Sequence, residues 1–243
     1  MCAAQTAEAR SHADRGLELA QSGDLASAES EVRQAVKLEP NNPEFLSTLG
    51  TLLAMDKKLD ESTAALRKAV QLAPAEFTSR RYLAANLWQL HRYGEAKHEL
   101  EIILRQRPDD AQSRLLLGMV SENSGDYATA AKMLSSVPDE VAKQPESLAA
   151  LALSYYRLHE RTNARTTLQR LSSLNTLKAT LLGAEIADQA GDYEEAERLL
   201  NSISSSEANE PDIQFRRATV QYHAGHFAEC LQQQSAQSPD APQ

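Results

Sequence analysis

His223, His226 and Cys230 form the one local cluster of metal-binding residue types in this 243-residue chain. A zinc site needs such nitrogen and sulfur donors converging on one point. Here Gly225 separates His223 from the other two, and a chain reversal at that glycine need not leave the three on one face. The expectation is no metal site, with Cys230 a small packing residue and both histidines on the surface. Cys2 and Cys230 stand at opposite ends, which gives neither a disulfide framework nor a C-x-x-C pair.

Glu185 and Asp188 are the next candidates, because i, i+3 spacing on a helix puts two carboxylates on one side. Acid–base catalysis would need them desolvated and facing a substrate, and no neighbouring residue supplies either condition. Glu194 and Glu195 belong to a turn and read as solvated. The sequence holds no G-x-S-x-G, phosphate-binding loop or H-E-x-x-H. No enzyme activity and no cofactor are expected.

Composition narrows the remaining classes. The formal net charge is −9, against the requirement of a protein that binds nucleic acid by neutralising phosphates. Residues 177–243 hold 4 basic and 11 acidic side chains, so most of that charge sits in the last quarter as a solvated face. No run approaches the roughly 18 apolar residues of a membrane span. A cytoplasmic location is the first expectation; a periplasmic or exported one follows if "MCAAQTAEA" is the remnant of a leader. Hydrophobic residues make up 42%, enough for a sizeable core, while Ala, Leu, Glu, Gln and Arg predominate over β-branched runs. That balance favours an all-α chain.

The helices that must position any site follow from a repeat. Pro40, Pro74 and Pro108 are 34 residues apart. The same step links Gly16, Gly50, Ala84, Gly118 and Ala152, all small. It also links Ala28, Ser62, Ala96, Ala130 and Ala164, again small, and Val32, Leu66, Leu100, Leu134 and Leu168, all apolar. Five units therefore start near residues 9, 43, 77, 111 and 145. The register then slips by two within "SSLNTLK", and "GDYEEA" and "GHFAEC" mark further units from about 177 and 211. Each unit reads as two amphipathic helices around a turn. Small residues are needed where two helix backbones cross closely, which is why Ala28 is not larger.

This pattern resembles the tetratricopeptide repeat: the 34-residue period, Leu49-Gly50 and Leu117-Gly118, the Gly125-Asp126-Tyr127 and Gly191-Asp192-Tyr193 turns, and the closing prolines. The signature tryptophan near each unit's start is absent. The resemblance implies an all-α, right-handed α-solenoid of stacked antiparallel helix pairs over residues 9–234. Residues 1–8 would be an N-terminal extension and 235–243 a tail. The lack of a polar capping helix at the end favours a fragment of a longer protein.

The resemblance further implies that certain first-helix positions face a concave groove. On this chain they are Arg81, Trp88 and Gln89, then Leu115, Met119, Glu122 and Asn123, then Leu153, Tyr156 and Arg157, and finally Glu185, Asp188, Phe215 and Tyr222. Aromatic and arginine side chains on such a face are typical anchors for a protein partner. The positions at which some relatives clamp chaperone C-termini are Ala13, Leu17, Thr48, Thr78 and Tyr82, and none supplies a cation or amide. The implied function is a scaffold that binds a peptide or protein segment. The alternative is the repeat portion of a larger enzyme or regulator.

Overall fold

The computed structural model describes residues 2–204 and 206–226, which carry 14 helices and no strand. The first helices of the repeats are α1 (Cys2–Gln21), α3 (Pro43–Met55), α5 (Phe77–Gln89), α7 (Ala111–Asn123), α10 (Pro145–Arg157), α12 (Thr176–Gln189) and α14 (Pro211–His223). Their partners are α2 (Leu25–Leu38), α4 (Leu59–Leu72), α6 (Tyr93–Gln106), α8 (Tyr127–Ser135), α11 (Arg161–Leu174) and α13 (Tyr193–Asn201), with a short α9 (Pro138–Val141) after α8. The fold class is an all-α helical-repeat solenoid. Contacts divide the chain into two compact units, residues 1–129 and 130–243, where the sequence reading drew one repeat domain. Within each unit a second helix packs against its own first helix and against the next first helix along the chain.

Local chemistry explains where the helices begin. Asn42, Asp110 and Asp192 accept hydrogen bonds from the backbone N–H groups of Phe45, Ser113 and Glu195, satisfying donors that the first turn leaves open. Pro43, Pro145 and Pro211 each sit in the first turn, where their missing N–H costs nothing. Reversal between paired helices uses one left-handed residue every repeat. Gly23, Gly125, Gly191 and Gly225 fill that place at φ of 77° to 89°, and Lys57, His91 and His159 fill it at 57° to 62°.

The close crossing expected from the small residues is present. A Cβ on Gly50 would lie 2.5 Å from Leu66 Cγ, and one on Gly16 would lie 2.5 Å from Val32 Cγ2. Ala28, Ala96, Ala130 and Ala196 are fully buried. Ser62, in the same register, adds a polar link. Its hydroxyl donates to the Gly50 carbonyl and accepts from Asn86 Nδ2, tying α3, α4 and α5 together.

Several boundaries differ from the sequence reading. Residues 2–8 are the opening turns of α1, continuous with the first repeat, because nothing between them and Gln21 breaks the helix. Helix α8 stops after nine residues and Pro138 opens α9, so the fourth repeat lacks a full second helix. The connector before the sixth repeat is shortened. Asn175 alone joins α11 to α12, while α2, α4 and α6 reach the next first helix through four residues. Cys230, the second helix expected for the seventh repeat and the 235–243 tail lie outside the described residues.

Candidate interaction surface

In the first unit, Arg81 and Trp88 stand two turns apart on α5, and both reach toward the following repeat. The Arg81 guanidinium lies 3.0 Å from Asp110 Oδ1. The same carboxylate caps α7 through the Ser113 N–H at 2.7 Å. Partial burial pushes the Asp110 carboxyl upward, but the hydrogen bonds from Ser113 and the Arg81 charge outweigh it and hold the group below its usual range. The Trp88 indole N–H donates to Asn123 Oδ1 at 2.7 Å, and the Asn123 amide donates to Glu122. Trp88 is half-buried, so its ring serves the junction between repeats and keeps only part of its face open. Gln89 is exposed beside it and Met119 half-buried. Leu115 does not belong to an open surface: it is 6% exposed, as is Ala13 at the corresponding place in the first repeat.

The second unit distributes its candidates over two walls. Leu153 is half-buried and Arg157 exposed on α10. Glu185 lies 3.4 Å from Arg216, and Asp188 lies 2.8 Å from His223 Nδ1, so polar contacts join successive first helices. Leu181, Glu185 and Asp188 of α12 face Asp212, Phe215 and Thr219 of α14 across a cavity of about 460 Å³. Phe215 and Tyr222 are 74% and 61% exposed, an unusual fraction for aromatic rings. Tyr156 departs from the expectation. It lines a different cavity, bounded by α11, α12 and α13, and is not brought to Glu185 and Asp188.

The histidines take separate partners: His223 meets Asp188 of α12, and His226 meets Glu197 of α13 at 3.2 Å. No group of three metal-ligating side chains occurs among the described residues. The carboxylates of Glu185 and Asp188 share a helix side, as their spacing required, yet each is matched by its own basic partner. No described helix is long and apolar enough to cross a membrane.

Sequence reasoning missed the residues that join neighbouring first helices. Arg10 pairs with Glu44 at 2.9 Å and Glu146 with Lys178 at 2.6 Å. The signal was present as opposite charges separated by about one repeat length. It was indistinct because the charges change sides from repeat to repeat.

A family model described as tetratricopeptide repeat matches residues 13–77 and 83–145. Among solved structures, MamA from Desulfovibrio magneticus RS-1 is 19% identical with a TM-score of 0.63, over 70% of this chain and 96% of that one. PilF of Pseudomonas aeruginosa is 18% identical with a TM-score of 0.68, over 89% and 99%. YrrB, described as a TPR protein with an unusual peptide-binding site, is 16% identical with a TM-score of 0.60, over 69% and 88%. At these identities the likeness shows the fold. No curated protein matches the chain by sequence.

Proposed function

This chain belongs to the tetratricopeptide repeat family, and from that premise we propose that it is a non-enzymatic scaffold whose first helices bind a peptide or protein segment. The observation that carries this reading is the cavity between α12 and α14, of about 460 Å³, with Phe215 on its wall 74% exposed. An aromatic ring contributes a large contact area at little rotamer entropy, which suits an exposed ring beside a cavity to anchoring a partner. The carboxylates of Glu185, Asp188 and Asp212 around that ring suit a segment pairing an apolar side chain with a basic one. In the other unit Trp88, Gln89, Met119, Glu122 and Asn123 offer a second contact stretch. The unusual peptide-binding site for which YrrB is described supports the reading by analogy of fold.

Peptide selection on the intact chain, followed by affinity measurements, tests this reading. Phe215→Ala is expected to weaken selected peptides at least tenfold, and Trp88→Ala and Arg157→Ala to weaken those that reach their helices. If all three variants bind every selected peptide as the parent chain does, the first helices are not the binding face.

A further inference from the structure

The second cavity of unit 130–243, about 570 Å³, lies on the opposite side of α12 from the first. Its residues recur at helical spacing. Arg161, Arg165, Leu168 and Ser172 form one stripe of α11, Gly183, Ile186 and Ala187 form the floor on α12, and Leu199 closes the far wall on α13. Eleven residues of helix separate Arg161 from Ser172, so the groove runs about 16 Å along α11.

Leu168 shows that this groove is unfinished core. Its counterparts in the other repeats, Val32, Leu66, Leu100, Leu134 and Leu200, are at most 1% exposed, whereas Leu168 is only half-buried. The cause is local. Gly183 stands where other repeats have Leu49, Leu83, Leu117 and Leu151; Leu49 packs in one buried cluster with Val32, whereas Gly183 offers no side chain to cover Leu168. The groove's charges sum to a positive sign: Arg161, Arg165 and Arg198 line it against Asp192, which caps α13, and Glu195, which pairs with Arg198. Helix α11 carries Arg161, Arg165 and Arg170 and no carboxylate, in a chain of net charge −9. Arg161 and Arg165 are exposed and have no ion pair among the described residues, unlike Arg198 across the groove, which is held by Glu195 at 2.5 Å.

We propose that this groove is a docking site for an amphipathic helix of another protein, one whose apolar stripe is flanked by Asp or Glu. Charge complementarity fixes the flanks: two unpaired guanidinium groups one helical turn apart are suited to paired carboxylates. Backbone chemistry fixes the helix. The groove walls are helices whose own N–H and C=O groups are already bonded, so an extended segment laid on Leu168 and Ile186 would bury unpaired backbone groups. A helix brings its hydrogen bonds with it. The excess carboxylates of residues 177–243 repel such a partner outside the groove, which gives the site orientation and selectivity.

The experiment uses a displayed library of 14-residue helical peptides on an alanine framework, with Leu at i, i+3, i+7 and i+10 and flanking positions randomised among Glu, Gln and Lys. It is selected against the intact chain. The expected result is enrichment of Glu over Lys at the flanks by at least fivefold. Selected peptides should lose at least tenfold in affinity for the Arg161→Glu, Arg165→Glu double variant and for Gly183→Leu, which fills the floor without changing charge. Circular dichroism and thermal melting check that both variants fold. The proposal is overturned if no peptide is recovered, if Lys or Gln dominates the flanks, or if both variants bind as well as the parent. Loss of binding with Phe215→Ala alone would also overturn it, assigning the peptides to the first-helix face.

Discussion

Lys57, His91 and His159 hold φ of 62°, 57° and 62°, a backbone region in which a Cβ crowds the following carbonyl. At the equivalent places Gly23, Gly125, Gly191 and Gly225 meet no such conflict, and no heavy atom lies within 4 Å of where their Cβ would be. Replacing Lys57 by glycine should therefore raise stability by about 0.5–1 kcal/mol, the steric relief being partly offset by the freer unfolded chain. The check is a higher urea midpoint at unchanged slope. His91→Gly should gain less, because the ring nitrogen 2.7 Å from the Tyr93 hydroxyl is lost with the side chain. Sequence reading found the turns through their glycines. It had no means of marking the three occupied by larger residues, since a lysine or histidine carries no turn signal of its own.

Helix identity followed from apolar spacing, but the polar atoms inside the helix junctions did not. Arg80 is 7% exposed and Asn86 2%, yet neither falls in an apolar register. Arg80 bonds to Glu99 of α6 and to the Pro74 carbonyl, and Asn86 bonds to Ser62 of α4. Both are fixed by partners on other helices, which one-dimensional periodicity cannot contain. The same holds for the pairs between repeats. Lys97 of α6 lies 2.5 Å from Asp126 in the turn before α8, and its charge-assisted hydrogen bond, with those from Thr129, holds the Asp126 carboxyl below its ordinary range. A carboxyl whose folded pKa lies below its unfolded value contributes stability above the unfolded pKa, near 3.9 for Asp, and loses it as pH falls through the folded pKa. Asp126→Asn keeps an acceptor for the Thr129 N–H while removing the charge. It should cost about 0.2–1 kcal/mol at pH 7, as partly exposed pairs do, with the difference vanishing near pH 2. Urea titrations at the two pH values decide it: an equal deficit at both would mean that the charge is not the source.

At the scale of the molecule, a chain of stacked helix pairs distributes stability repeat by repeat. The distribution here is uneven. Helix α3 buries Phe45, Leu46, Leu49, Leu52 and Leu53, whereas α12 buries only Ala179, Ala184 and Ala187, and α14 only Ile213 and Val220. A fully buried Leu or Phe contributes about 1.5–3 kcal/mol and an alanine methyl far less, so the deficit in α12 amounts to several large side chains. The period displayed the repeats equally and gave no sign of this gradient, because Ala and Leu both satisfy an apolar register. Two open cavities of unit 130–243 lie on either side of α12, the helix with this poor core. Small residues in place of large ones leave that surface open, and the same shortage of buried side chains is expected to lower local stability. Native-state hydrogen exchange in rising urea should therefore show the amides of α12–α14 opening at lower denaturant than those of α3–α6, with the free-energy gap at least about 1 kcal/mol. One common opening energy for both groups would mean that coupling between neighbouring repeats outweighs the difference in their cores. A partner helix bound beside Leu168 should narrow the gap by protecting α11–α13 selectively, because a ligand that binds the closed state stabilises the elements it touches.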